Sequence, residues 1–184
     1  PKDQNFRSAF IVNKKLNVES LKDLKGYSLT FGSESSTSGH LMPRFFLWKA
    51  GLSPESDFKG PPSYSGSHDK TWKLVESGSF QVGALNAAVW DRAVSQGIVD
   101  NNKVKLLKYT RTFSDYHWVA HPAIETELGD GTINKISDIL KSMEMSNPSA
   151  AHVLELFQTD SFVDTQNENY YEIENTARSL GFLK

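Results

Sequence analysis

The run Gly32-Ser33-Glu34-Ser35-Ser36-Thr37-Ser38-Gly39-His40 gathers the side chains in this sequence best suited to bind something. Four hydroxyl residues in a row, Ser35 to Ser38, stand between Gly32 and Gly39. Hydroxyls donate hydrogen bonds, and glycine lets a ligand come close to the main chain. At the start of a helix these donors join unpaired backbone N–H groups and the positive end of the helix dipole. That combination binds anions, tetrahedral oxyanions above all. The alternative is an ordinary helix cap, because Ser and Thr are favoured caps. A cap needs one hydroxyl, and this run supplies four. A second polar turn, Ser63-Tyr64-Ser65-Gly66 leading into Ser67-His68-Asp69, brings a histidine.

The elements around these turns follow from periodicity. Ser28-Leu29-Thr30-Phe31 is a short apolar run that reads as a strand, and Leu41, Phe45 and Trp48 recur at helical spacing. The hydroxyl run is therefore a strand-to-helix turn. Pro43 falls five residues after Ser38, where a helical N–H should already donate. The helix must start late or have a distorted first turn, and local rules tend to break at functional sites. Upstream, residues 7–12 read as a strand and residues 18–24 as a short helix capped at Ser20 and stopped by Gly26. Downstream, Trp72, Leu74 and Val75 mark a helix ended by Gly78. A strand over 80–85 follows, then a helix capped by Asn86 with Val89, Trp90 and Val94 on it, then a strand over 104–109. Trp72 and Trp90 lie on apolar helical faces and read as core. Repeated strand–helix–strand units with polar turns after the strands indicate a parallel sheet, whose ligands bind beyond the carboxyl ends of its strands. Residues 117–120 look β-like. Beyond Pro122 the chain is mostly helical, over 133–143, 150–157 and 169–180. No internal repeat or low-complexity segment occurs.

Composition removes several function classes. The chain has 184 residues, 38% hydrophobic and 11% aromatic, enough for a hydrophobic core. A net charge of -2 and the lack of a basic cluster argue against nucleic acid as a partner. Cysteine is absent, which excludes disulfides, thiol catalysis and cysteine-based zinc sites. No apolar stretch is long enough to span a bilayer. The chain opens at Pro1 without Met or signal peptide, so it is expected to be a processed or truncated product. A Ser/His hydrolase would need a Gly-x-Ser-x-Gly elbow, a metal-like cluster or a carboxylate positioned beside His68, and the sequence offers none of these. The chain is therefore read as a binding protein and not an enzyme, with no metal and no cofactor.

Three segments together resemble one family. The first comprises Leu24-Lys25-Gly26, Phe31-Gly32 and Ser36-Thr37-Ser38-Gly39-His40-Leu41-Met42-Pro43. The second is Gly66-Ser67-His68-Asp69. The third runs from Gly83 through Asn86-Ala87-Ala88 to Asp91, with Asp115-Tyr116 beyond. The chain resembles the substrate-binding components of phosphonate, phosphite or phosphate ABC transporters, the PhnD-like group, over essentially its whole length. The resemblance implies an α/β fold of the periplasmic-binding-protein type II class: a mostly parallel sheet with flanking helices, here one full lobe plus part of the second. Family members are longer, and this chain is expected to lack their N-terminal part. It implies three divisions: residues 1–25 as the end of the first lobe and a crossover, 26–110 as the central ligand-binding lobe, and 111–184 as the crossover back with the C-terminal helical part of the first lobe.

The resemblance also implies roles. Ser36, Thr37, Ser38 and His68 would donate to the oxyanion, a bound dianion would favour the proton of His68, and Gly39 would admit the ligand to the backbone; the alternative for His68 is a surface capping residue. Asn86 would line the site. Asp115 and Tyr116 would either line the cleft or form a hinge turn. His40 lies where the family varies and is read as a neighbour of the ligand. Many members carry a carboxylate in the segment matching Asn86 to Ala88 that can meet a substrate amino group. Here that segment is Asn-Ala-Ala, which points away from aminoalkylphosphonates toward phosphite, methylphosphonate or phosphate. The implied partners are a small phosphorus oxyanion and an ABC transporter permease. A homodimer through surface exposed by truncation is the further expectation. The implied location is periplasmic or extracellular, with lipid anchoring of the full-length form left open. The alternative function on the same fold is the ligand-sensing domain of a membrane receptor or regulator.

Overall fold

In the computed structural model, which describes residues 6–114, 116–157 and 159–184, a five-stranded sheet forms the centre. Its strands are β1 (Ser8–Asn13), β2 (Leu29–Phe31), β3 (Ser63–Tyr64), β4 (Val82–Asn86) and β5 (Val104–Tyr109), in the order β3-β2-β4-β1-β5. β2 pairs in parallel with both β3 and β4. β1 pairs antiparallel with both β4 and β5, so four strands share a direction and β1 alone opposes them. The strand–helix alternation predicted parallel pairing. It does not reveal the direction of β1, whose sheet neighbours β4 and β5 come after other strands and helices and form no single strand–helix–strand unit with it.

The sheet is covered on both faces, which is why its central strands are continuous apolar runs. Phe10, Val12, Phe31, Val82 and Ala84 pack on one face with Leu21, Leu24 and Leu47. Ala9, Ile11 and Leu85 pack on the other with Trp72, Val75, Trp90 and Ala93. Each large buried side chain contributes about 1.5–3 kcal/mol. Trp72 and Trp90 are core residues, each 3% exposed. Gly83 lets helix α2 (His68–Glu76) lie directly on β4. A Cβ there would come within 2.9 Å of Val75 Cγ2 and 3.0 Å of Thr71 Cγ2.

The conflict at Pro43 resolves in both of the expected ways. Thr37–Leu41 forms a wide π-type turn, in which the Met42 N–H donates to the Thr37 carbonyl. Helix α1 (Met42–Lys49) then begins late and has Pro43 in its first turn, where a missing N–H costs nothing. The short helix near residue 20 is a single 3₁₀ turn, Leu21–Leu24, with Asp23 accepting from the Ser20 N–H. The segment read as the second polar turn includes the two-residue strand β3, and Gly66 (φ 83°) then turns the chain toward α2. Helix α3 (Ala87–Ser95) follows β4 as expected.

Among the described residues, 6–113 and 170–184 make one compact unit and 114–169 a second. This grouping differs from the division at residues 25 and 110. β1 lies inside the sheet, so the segment before residue 26 joins the central lobe. The last helix joins it too: Ile173 and Leu180 pack against Met42, Phe45 and Phe113. The second unit holds α4 (Ala123–Leu128), α5 (Thr132–Lys141) and α6 (Pro148–Phe157). The Glu125 carboxylate accepts from the N–H groups of Gly131 and Ile133 and so caps α5. Residues 117–120 form no strand. α7 (Tyr171–Ser179) completes the first unit, and no helix of the described residues is long and apolar enough to cross a membrane.

Candidate anion-binding site

Three adjacent parallel strands each run into a helical start. β2 leads to the turn Thr37–Leu41, β3 to α2 and β4 to α3. Their carboxyl ends lie side by side, which is where ligands bind in open α/β sheets. Backbone bonds knit the β2 and β3 exits together. Gly66 N–H donates to the Gly32 carbonyl (3.2 Å), and Gly32 N–H donates to the Gly39 carbonyl (2.8 Å).

Ser36 is the cap of the hydroxyl turn. Its Oγ accepts from Gly39 N–H at 2.9 Å, and its carbonyl accepts from the N–H groups of His40 and Leu41. Thr37 and Ser38 hold the first two positions, whose N–H groups a helix start cannot satisfy internally. The Ser38 hydroxyl is fully buried and accepts from Asn86 Nδ2 at 3.5 Å, which leaves its own hydrogen to donate. The ordinary-cap reading thus holds for Ser36 alone; Thr37 and Ser38 keep their donors.

His68 opens α2, and its ring lies against the turn. A Cβ added to Gly39 would fall 3.0 Å from His68 Cε1, and one added to Gly32 would fall 3.4 Å from Nδ1. The two glycines therefore make room for the ring, beyond any ligand they admit. His68 Nδ1 accepts the Asn86 backbone N–H at 3.2 Å. A nitrogen that accepts carries no hydrogen, so the hydrogen sits on Nε2 and the ring is neutral. Burial lowers the His68 pKa, against a smaller opposing pull from Asp69. The ring thus keeps one N–H to donate, from a neutral imidazole.

Asn86 caps α3, its Oδ1 accepting from Val89 N–H at 3.1 Å. Its side-chain NH₂ faces Ser38 and its backbone N–H faces His68, so this residue joins all three segments. Ser36, Thr37, Ser38, Gly39, His68 and Asn86 include no carboxylate. Tyr116 belongs to the second unit and is exposed, and Asp115 lies outside the described residues.

His40 is a supporting residue, 1% exposed. Its Nδ1 donates to the Glu34 carbonyl at 2.6 Å, and its Nε2 accepts from Arg44 Nε at 2.9 Å. Arg44 also bonds Glu55 and the Tyr64 hydroxyl. Sequence reasoning passed over Arg44, Glu55 and Tyr64. The one signal was the spacing of His40 and Arg44, four apart and so on one helical face. Ser8 was passed over too. It pairs across the sheet with Asn86, and its buried Oγ has no hydrogen-bond partner among the described residues.

Comparison with known proteins agrees with this architecture. The family described as the periplasmic phosphonate substrate-binding protein of ABC transporters matches residues 1–170. A probable ABC transporter phosphite binding protein, PhnD1 of Prochlorococcus marinus, is 36% identical over 99% of this chain. The chain spans 63% of that relative's length. The crystal structure of PhnD1 in complex with methylphosphonate superposes with a TM-score of 0.90 at 36% identity, covering 99% of this chain and 69% of that one. A binding component of an ABC phosphonate transporter from Pseudomonas aeruginosa shares the fold, with a TM-score of 0.72 at 20% identity over 94% of this chain and 57% of that one. By sequence along nearly its whole length, the chain belongs to the family of periplasmic phosphonate-binding proteins of ABC transporters.

Proposed function

We propose that this chain is the solute-binding component of an ABC importer and takes a small phosphorus oxyanion, phosphite or methylphosphonate in the first place. The observation that carries the reading is the meeting of three helix starts at the ends of β3, β2 and β4, where the six candidate residues supply donors and no carboxylate of their own. Thr37 and Ser38 offer N–H and O–H groups, His68 offers Nε2–H, and Asn86 orients Ser38 and His68. Hydrogen bonds to a charged acceptor are worth about 1.5–3 kcal/mol each, so a few of them hold a small anion firmly. The names of the related proteins, a phosphite binder and a structure holding methylphosphonate, support the same ligand class.

The partner that follows is a transporter permease, and the compartment is the periplasm or its extracellular equivalent. A lipid anchor on the full-length form fits that placement. The related proteins are transport components, and we read this chain as non-catalytic. Tyr116 and Asp115 stay candidates on the sequence resemblance alone, either as ligand contacts or as a hinge turn. The test is calorimetric titration of the full-length protein with phosphite, methylphosphonate, phosphate and sulfate. Saturable heat with phosphite or methylphosphonate, weaker or absent with sulfate, is the expected result. Heat with none of the four would overturn the reading.

A further inference from the structure

The residues that hold the anion do not explain why the chain spends a buried histidine and a nearly buried arginine directly behind them. His40 and Arg44 are 1% and 9% exposed. Burying such groups is unfavourable unless every polar atom finds a partner. Here the partners form one continuous path. The Glu34 carbonyl accepts from His40 Nδ1, and His40 Nε2 accepts from Arg44 Nε (2.9 Å) and the Tyr64 hydroxyl (3.2 Å). The Arg44 guanidinium then reaches Glu55 and the same Tyr64 hydroxyl.

This path starts on the entering limb of the hydroxyl turn. That limb is fastened to the first helical turn at two places, Ser36 Oγ to Gly39 N–H and the Glu34 carbonyl to His40. The N–H groups of Thr37 and Ser38, first in the turn and so without an intrahelical acceptor, lie between the two fastenings. Their direction is therefore set by how firmly both hold. Phe31 and Tyr64 pack their rings on His40 at 4.9 Å, which fixes the plane in which Nδ1 points.

We infer that His40, held by Arg44, is a positioning residue for the anion site: its bond to the Glu34 carbonyl aims the Thr37 and Ser38 donors, and it does not itself touch the ligand. The inference deepens the proposed function and rests on it for the nature of the ligand. The positioning itself can be read with no ligand present.

The test separates hydrogen bonding from packing. His40→Phe keeps an aromatic ring among Phe31 and Tyr64 but has no donor for Glu34. His40→Asn keeps an N–H where Nδ1 sits but fills the space less well. Amide hydrogen exchange of residues 36–41 is measured in both variants, with α2 and α3 as internal controls, alongside melting temperature and methylphosphonate affinity. The expected result is a crossing order. Melting temperature ranks Phe above Asn, while turn protection and affinity rank Asn above Phe, with affinity at least tenfold lower in His40→Phe than in the unsubstituted chain. Equal turn protection in the two variants, or Phe above Asn in every measurement, would overturn the inference and leave His40 a packing residue. If the unsubstituted chain binds no methylphosphonate but the exchange order crosses, the positioning stands and the ligand assignment falls.

Discussion

The backbone N–H of Asn86 donates to Nδ1 of His68 across 3.2 Å and so decides which ring nitrogen carries hydrogen. One strand end thereby sets the tautomer of a side chain on the neighbouring helix, and Nε2–H becomes the donor. His68→Ala removes that donor and leaves the Asn86 N–H without its acceptor. Methylphosphonate affinity should fall by about 1.5–3 kcal/mol, roughly ten- to a hundredfold. His68→Gln restores an N–H near the Nε2 position and should recover part of the loss. Titration calorimetry decides it: unchanged affinity in His68→Ala would remove this residue from the site.

Gly39 is a steric requirement. Its added Cβ would meet His68 Cε1 and Ser36 Oγ at 3.0 Å each and Gly32 Cα at 3.2 Å. Gly39→Ala should push the His68 ring off the turn and cost about 1–3 kcal/mol of stability, the usual range for overpacking. Chemical denaturation together with the His68 ring resonances in NMR checks both parts. A variant as stable as the parent with unmoved His68 resonances would contradict the packing described here.

Much of this was legible in the residues. The hydroxyl turn, the cap at Asn86 and the break caused by Pro43 are local chemistry, and each is found where residue types alone place it. What was not legible is non-local. Ser8 sits opposite Asn86 because β1 inserts antiparallel between β4 and β5, and no nearby turn signals that pairing. The Arg44–Glu55 and Arg44–Tyr64 contacts span 11 and 20 residues of sequence, outside any periodic window. The tautomer of His68 was not legible for the same reason. It depends on a backbone N–H 18 residues away.

Acid should destabilise the fold through its buried histidines. Burial is the first cause that holds both His40 and His68 below the ordinary value of 6.5. As pH falls through 6.5 the unfolded chain takes up protons that these two folded rings refuse until lower pH. The unfolded state then binds more protons, so stability rises with pH in this window and is lost on acidification. Urea midpoints should drop between about pH 7 and pH 5.5, and less steeply in His40→Phe. A flat midpoint in the parent chain over that range would refute the account.

Ser8 offers a stabilising substitution. Its buried hydroxyl has no partner, and an unsatisfied buried polar group costs about 1–3 kcal/mol. Ser8→Ala removes the group with little change in volume. Stability should stay level or rise by up to about 1 kcal/mol, roughly 2–4 °C in melting temperature. Because Ser8 pairs with Asn86, the same variant also asks whether the hydroxyl reaches the ligand. Unchanged methylphosphonate affinity is expected, and a tenfold loss would add Ser8 to the site.

Selectivity follows from the balance of donors and acceptors. Thr37, Ser38 and His68 present hydrogens, which an oxyanion with every oxygen accepting can satisfy. The one amide oxygen nearby, Asn86 Oδ1, is already occupied by the Val89 N–H. An aminoethylphosphonate would bring an ammonium with no acceptor to meet it, and an unpaired charge in a closed site costs several kcal/mol. Phosphite or methylphosphonate should therefore bind at least roughly tenfold more tightly than 2-aminoethylphosphonate, a difference of about 1.4 kcal/mol. The position for a converting substitution is also defined. Ala87 is 2% exposed and packed with Trp72 and Trp90, so a carboxylate there would disrupt the core. Ala88 is exposed in the first turn of α3, where the helix dipole favours an acidic side chain. Ala88→Glu should keep the fold and narrow the preference toward the amine, read by competitive titration of the two phosphonates. Equal binding of 2-aminoethylphosphonate by the unsubstituted chain would defeat the argument, and would require a carboxylate beyond these residues to hold the amine.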